Sequence, residues 1–156
     1  MAVRLTRPSK HSLVVETPVM NAAGTLGFGD EYRDLLDFDQ LGAFVTNPLT
    51  YVPWNPATGT RVVPLEAGVL VHTGLPNPGL SKVIAQHRAV WERMSMPVIA
   101  HVVVNNAEDV RRSVAMLDRE DSIEAIELGL SDDISSAETE WYIRTVVDRV
   151  EKPVLA

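Results

Sequence analysis

Apolar runs alternate with amphipathic segments along most of the chain. Four runs are apolar almost throughout, and they span residues 42–48, 97–104, 125–130 and 153–156. Uninterrupted apolar runs, unlike a strict alternation of polar and apolar positions, suit strands that are buried on both faces of a parallel sheet. The pattern therefore predicts four strands of such a sheet.

The segments between these runs have the period of a helix. Apolar residues recur on one face of residues 79–94, 106–120 and 136–150, as an amphipathic helix requires. The third segment follows Ser135, and Glu138 stands three positions later, which is the pattern of a capping box. Strands that alternate with helices predict right-handed βαβ units and an α/β fold.

Two architectures fit this order of elements, an open doubly wound sheet and part of a (β/α)₈ barrel. Both bind ligands at the carboxyl ends of their strands. The polar residues to inspect there are Thr46, Asn47, His101 and the segment 129–133. A full barrel has about 250 residues, so a chain of 156 residues has room for little more than half of one.

Composition narrows the classes of function. The net charge is −7 and no basic run is present, which excludes nucleic acid as an expected partner. The absence of cysteine excludes disulfides, thiolate metal sites and a cysteine nucleophile. No segment reaches the roughly 20 apolar residues of a membrane span. We therefore expect a cytoplasmic protein with no membrane partner.

A glycine-rich stretch, "NAAGTLGFG", follows the first apolar region at residues 21–29. It lacks the lysine of a phosphate-binding P-loop, and its glycines are in the wrong order for a dinucleotide fingerprint. Asp30 is then expected to cap a helix that contains Leu35. Ala22, Ala23 and Gly24 leave a strand end without bulky side chains, where a flat ligand can approach the backbone closely.

Five stretches carry a resemblance to a known family. They are "PVMNAAGTLGFGDEY", "LGAFVTNPLTY", "RVVPLEAGVLVHTGLPNPGLSKV", "MPVIAHVV" and "AIELGLSDD", in this order. Together they resemble the N-terminal half of a class 1 dihydroorotate dehydrogenase, from Pro18 to the last residue. The resemblance implies one segment, residues 1–156, of a (β/α)₈ barrel that binds FMN and oxidises a dihydropyrimidine by hydride transfer in pyrimidine biosynthesis.

The same resemblance implies the residues of the site. The expected flavin contacts are Ala22, Ala23, Gly24, Thr46, Asn47, His101 and Gly129. The expected substrate contacts are Val71, His72, Thr73, Gly74, Leu75 and Asn77. The expected catalytic residues are Ser131 and Asp132, with Asp132 at the position of the base.

The chain departs from the family at several of these positions. Asn47 replaces a lysine, Val71 and His101 replace asparagines, and Asp132 replaces the cysteine base of most soluble members. Asp132 then either acts as the base, with a pKa raised by its neighbour Asp133, or only favours the dipole of the following helix. Histidine and carboxylate groups near one set of strand ends invite a metal site, but no close ligand spacing supports one, and none is predicted.

Two functions from different classes remain open. The first is a flavin oxidoreductase. The second is a non-catalytic half barrel, or a fragment, that has lost its chemistry. In both cases, the open strand edges of half a barrel are expected to pair with a second copy or another chain.

Overall fold

The computed structural model describes residues 2–6 and 11–156. In this part of the chain, twelve segments have regular structure. They are β1 (Val3–Arg4), β2 (Val14–Val15), a 3₁₀ turn (Phe38–Gln40), β3 (Phe44–Val45), β4 (Val62–Leu65), β5 (Gly68–Val71), α1 (Leu80–Trp91), β6 (Val98–Val103), α2 (Ala107–Leu117), β7 (Ala125–Gly129), α3 (Ser136–Val147) and β8 (Val154–Leu155).

A four-stranded parallel sheet forms the centre of the fold, in the order β3-β6-β7-β8. One α-helix lies in the sequence between each pair of neighbouring strands of this sheet, as the apolar runs predict. On the β3 side, Met20 adds a single parallel bridge to Ala43 and brings the glycine-rich stretch beside the sheet. The α/β fold with the character of a partial (β/α)₈ barrel is confirmed, although each strand is shorter than its apolar run.

The two faces of the sheet belong to two different hydrophobic cores. Because side chains alternate along a strand, Phe44, Val98 and Ile126 share the face that packs against the helices in the larger hydrophobic core. Val45 and Ile99 share the opposite, inner face, in a second core that also holds Val15 of the N-terminal hairpin. A barrel binds its ligand at the carboxyl ends of its strands, so the site must be sought beside this second core, toward those strand ends.

Side-chain caps fix where two of the helices begin. The Asn106 side chain accepts a hydrogen bond from the Asp109 amide at 2.9 Å, which satisfies one of the free amides of α2. Ser135 and Glu138 form both halves of the capping box of α3, which confirms the sequence pattern. These caps place the loops that carry the strand ends.

The helix expected after Asp30 is wrong, because residues 31–35 form turns and no α-helix. The physical reason lies in Glu31, whose carboxylate accepts the amides of Phe28 at 2.8 Å and Gly29 at 2.6 Å. Glu31 therefore closes the glycine-rich loop instead of beginning a helical turn. Two antiparallel hairpins, β1–β2 and β4–β5, were not predicted.

Candidate active site

An open cavity of about 510 Å³ lies on the inner face of the sheet, and we call it the inner cavity. Ala22 and Ala23 of the glycine-rich stretch contribute to its lining. All four strands of the sheet also contribute to its wall. The strand residues in the lining are Val45, Ile99, Glu127 and Leu155. The glycine-rich stretch and the strands therefore meet around one space.

The Asn21 side chain attaches the glycine-rich stretch to β3. Its Oδ1 accepts the Val45 amide at 2.8 Å, and its Nδ2 donates to the Val45 carbonyl at 2.7 Å, in the manner of a neighbouring strand. The Thr25 hydroxyl then donates to the Ala22 carbonyl at 2.6 Å, and Gly24 has a φ of 83°, which favours glycine. These contacts hold a turn of small residues against the cavity.

Thr46 and Asn47, expected to contact flavin, use their side-chain oxygens within the protein. The buried Thr46 hydroxyl accepts the His101 amide at 3.1 Å and so ties β3 to β6. Asn47 Oδ1 accepts the Gly27 amide at 3.2 Å, while the Asn47 amide donates to the Gly27 carbonyl at 2.7 Å. Both residues therefore support the loop and strand next to the inner cavity.

His101 and Glu127 face each other across β6 and β7, directly above the inner core. They are paired in the strand register, and His101 Nδ1 lies 3.5 Å from Glu127 Oε2. The imidazole reaches over Gly129, where an added Cβ would overlap with His101 Nε2. Sequence reasoning missed Glu127, although its inward position follows from the two-residue period that places residues 125, 127 and 129 on one face.

A second cavity, of about 650 Å³, lies beyond the carboxyl end of β7, and we call it the loop cavity. Its lining consists of residues 71–75 and residues 130–132. The structure thus brings the expected substrate residues Val71, His72, Thr73, Gly74 and Leu75 to the same space as Ser131 and Asp132. Nearly sixty residues of sequence separate these two groups.

Asn77 lies outside the lining of both cavities. It is buried, and its Oδ1 accepts the Thr50 hydroxyl and the Gly79 amide, both at 3.0 Å. Its Nδ2 donates to the Leu75 carbonyl at 3.3 Å. In this structure Asn77 therefore fixes the loop that presents Leu75 and begins α1.

The neighbouring acids Asp132 and Asp133 have different surroundings. The Ser131 hydroxyl donates to the Asp133 carboxylate, and this hydrogen bond lowers the pKa of Asp133. A carboxylate stabilised in this way stays ionised at neutral pH. Ser131 is thus bonded to Asp133, and Asp132 lines the cavity beside it.

A third concavity, of about 640 Å³, lies on the outer side of the fold between α1 and α2. It shares no residue with the predicted site. Arg88 and Glu120 form an ion pair at its wall, and Arg112 lies 5.5 Å above the ring of Tyr51. Among the residues that the structure describes, no group of three or more histidine and acidic side chains has the arrangement of a metal site.

Comparison with known proteins gives one family. The sequence model of the dihydroorotate dehydrogenase family matches residues 11–148. The chain belongs to the dihydroorotate dehydrogenase family. Its lineage is therefore that of enzymes of pyrimidine biosynthesis, as the ordered stretches of sequence indicate.

The relatives carry the name dihydroorotate dehydrogenase B (NAD(+)), catalytic subunit. The one from Desulforamulus reducens is 33% identical over 114 residues, which are 73% of this chain and 38% of that protein. The one from Listeria monocytogenes serotype 4a is 34% identical over 119 residues, 76% of this chain and 39% of that protein. The one from Desulforudis audaxviator is 30% identical, over 92% of this chain and 50% of that protein. The chain thus spans half or less of the length of these relatives.

Dihydroorotate dehydrogenases are in general flavin-dependent, so the inner cavity can be compared with the needs of a flavin. Its volume is within the roughly 300 to 1,000 Å³ of ligand pockets. Ala22 and Ala23 leave backbone accessible to a flat ring, and Val45 and Ile99 offer an apolar floor. The residues in the lining fit the face of an isoalloxazine, although the charged group among them is the carboxylate of Glu127.

No helix in the described part of this family member is both long and apolar enough to cross a membrane.

Proposed function

We propose that the chain forms the flavin- and substrate-facing part of an FMN oxidoreductase of the dihydroorotate dehydrogenase type. The observation that carries the proposal is the loop cavity, where residues 71–75 meet residues 130–132. Strand β7 connects this cavity to the inner one, since Glu127 lines the inner cavity and Leu130 the loop cavity. Three residues of strand span roughly 10 Å, which places the two spaces side by side.

The residues divide into three groups in this proposal. The backbone of Ala22 to Gly24 and the side chain of His101 contact the flavin, while Thr46 and Asn47 hold their surroundings. Residues 71–75 form the recess for a dihydropyrimidine-type substrate. Gly129 leaves room for the His101 ring. Bound flavin supplies the acceptor for a hydride.

Asp132 is proposed as the base of the reaction. A hydride leaves one ring carbon of the substrate with its bonding electrons, and Asp132 takes the proton from the adjacent carbon. The electron pair of that second C–H bond forms the new C=C bond, so the substrate loses two electrons and two hydrogens. Ionised Asp133, held by Ser131, stays beside Asp132 as a second negative charge.

A partner for the sheet is also proposed. In the part of the chain that the structure describes, β8 pairs with β7 and has no neighbour on its other side. The relatives are named catalytic subunits and are about twice as long as the matched region or longer. We infer that further barrel structure covers this edge, from the same polypeptide, a second copy or another chain.

The test is a titration of FMN into the chain, followed by dihydroorotate without oxygen. We expect quenching of FMN fluorescence and then loss of the flavin absorbance band. Asp132→Asn should slow that loss about 100-fold, since a positioned base contributes roughly 10² to 10⁴ in rate. Asp132→Cys should restore it, because a thiolate can take the same proton. Exposed Asp34 gives the control variant Asp34→Asn.

One outcome would favour the second function. If FMN at about 100 μM is not held, a concentration well above ordinary cofactor affinities, the chain as it stands is not a flavoprotein. A non-catalytic half barrel that binds a partner then accounts better for the structure. The exposed apolar side chains of β4 and β5 support that alternative.

A further inference from the structure

The His101 ring contains a buried nitrogen without a hydrogen bond. Nδ1 is inaccessible to solvent and has no hydrogen-bond partner among the residues that the structure describes. Buried polar atoms are nearly always bonded, because an unmade bond leaves the cost of desolvation uncompensated. The atom therefore indicates a contact that this conformation does not complete.

One acceptor lies within reach of Nδ1. Glu127 Oε2 is 3.5 Å away, which is close enough for an ion pair but too long for a good hydrogen bond. The two residues are opposite each other in the β6–β7 register, so their backbones hold this proximity. A shortening of about 0.6 Å, within reach of small side-chain rotations, would give a bond of ordinary length.

The other ring nitrogen, Nε2, has a different environment. It lies over the Cα of Gly129, in the space that a side chain at position 129 would fill. The described residues form no hydrogen bond with it, and it is not among their buried unbonded atoms. Nε2 is therefore available to a ligand, whereas Nδ1 is turned toward Glu127.

We propose that Glu127 is a positioning residue that accepts the Nδ1–H of His101 and fixes the neutral ring with a bare Nε2. A histidine tautomer is set by the bond that the opposite nitrogen makes. Bare Nε2 accepts a hydrogen bond, so the site recognises an N–H donor on a planar heterocycle. The flavin ring and the dihydropyrimidine both carry such a group, and this part of the inference rests on the proposed function.

Nitrogen-15 NMR of the chain alone, at a pH where the ring is neutral, tests the positioning role. The chain has four histidines, and the His101 signals are those that disappear in His101→Asn. We expect the Nδ1–H tautomer to exceed the Nε2–H tautomer by roughly tenfold, the effect of one hydrogen bond to a charged group. Glu127→Ala should remove this excess, and Glu127→Gln should keep part of it, because an amide oxygen can still accept.

Glu66→Ala, an exposed acid on the turn between β4 and β5, is the control and should leave the ratio unchanged. An unchanged ratio in Glu127→Ala, or a prevailing Nε2–H tautomer in the unmodified chain, would overturn the positioning role. A purely structural Glu127 would alter stability and leave the tautomer as it is. If Glu127→Ala does not fold, the comparison of Glu127→Gln with the unmodified chain decides.

Two ligand titrations test the acceptor role of Nε2. FMN and dihydroorotate are added separately, and a shift of the Nε2 resonance with one of them identifies which N–H is bound. If neither ligand shifts the Nε2 resonance, the acceptor role is overturned. Failure to quench FMN fluorescence counts against the proposed function, while the tautomer ratio, measured without ligand, decides the role of Glu127 independently.

Discussion

The parallel sheet and the β4–β5 hairpin are built from similar sequences and have opposite surroundings. β6 reads Val-Ile-Ala-His-Val-Val, and Ile99 and Val102 are each 1% exposed. β4 and β5 read Val-Val-Pro-Leu and Gly-Val-Leu-Val, and Leu65 and Leu70 are 59% and 61% exposed. Both regions are thus apolar in composition, but the side chains of β6 are mostly buried and those of β4 and β5 are exposed.

The difference shows that the stability of a strand depends on the elements that pack against its faces as much as on its sequence. Helices cover one face of the sheet, and the N-terminal hairpin covers part of the other. No described element covers either face of the β4–β5 hairpin, and an isolated two-stranded hairpin is marginal in water. Exposed apolar patches of this kind mark contact surfaces. Val71 at the hairpin's end also lines the loop cavity.

The largest expected difference comes from truncating one apolar side chain in each region. Ile126→Ala, at a fully buried position of the sheet, should lower the free energy of unfolding by about 2 to 5 kcal/mol. Leu70→Ala, on the exposed hairpin, should change it by less than about 0.5 kcal/mol. Urea unfolding followed by circular dichroism measures both variants.

Equal losses in the two variants would contradict this picture. They would mean that the hairpin is buried in solution, for example against a second copy of the chain. Sedimentation shows whether the chain forms such a dimer. If it does, the stability should also depend on protein concentration.

A second pair of variants compares glycines in the two regions. Gly129→Ala places a Cβ against His101 Nε2 and should cost about 1 to 3 kcal/mol through overpacking. Gly68→Ala adds a Cβ with no atom within 4 Å and should have almost no effect. Unfolding measurements of the double variant His101→Ala/Gly129→Ala should recover most of the loss. If no recovery occurs, the His101 ring is not what occupies that space.

Much of the sheet could be predicted from the sequence because local and global signals agree there. Apolar runs gave β6 and β7 to within one or two residues at each end, and the helical period gave α1, α2 and α3. The capping box at Ser135 requires two residue types at a fixed spacing, which is why it could be read directly. The family resemblance, confirmed by the match over residues 11–148, supplied the barrel.

The remaining features depend on contacts between distant residues, or on one side chain changing a local preference. Glu31 binds two amides of the preceding loop, and no helical period reveals that choice. The hydrogen bond from Ser131 to Asp133 depends on the local turn geometry, which no residue pattern predicts. The importance of Glu127 follows from strand register, which places it opposite His101 and which sequence alone does not determine. The roles of the predicted site residues stay predictions.

A smaller effect tests the least buried helix of the sheet region. Val146 is the one residue of α3 that the structure describes as buried. The start of this helix therefore depends more on local hydrogen bonds than on packing. Ser135→Ala removes the cap that binds the Glu138 amide and should cost about 1 kcal/mol. Ser136→Ala, one position later and exposed, is the control with no cap to lose. Equal unfolding midpoints for both variants would show that packing, and not the capping box, fixes the start of α3.

The smallest effects concern two acids of the sheet region whose pKa values move in opposite directions. Burial raises the pKa of Glu120, but hydrogen bonds from Arg88 and Ser122 outweigh it, so that the pKa lies below its ordinary value of 4.5. Burial also raises the pKa of Glu124, and there it prevails over the bond from the Val98 amide.

The two shifts predict opposite slopes of stability with pH. A lowered pKa in the folded state means that the contribution of Glu120 is present above pH 4.5 and is lost as the pH falls through the folded value. A raised pKa means that Glu124 favours the folded state increasingly as the pH falls toward 4.5 from above. Glu120→Gln should therefore flatten the loss of stability below pH 4.5, and Glu124→Gln should flatten the slope above it. Urea midpoints between about pH 3.5 and 7.5 test both, with Glu66→Gln on the hairpin turn as the control. The same slope in all three variants would show that the contacts of Glu120 and Glu124 do not differ energetically from those of the acid on the hairpin turn.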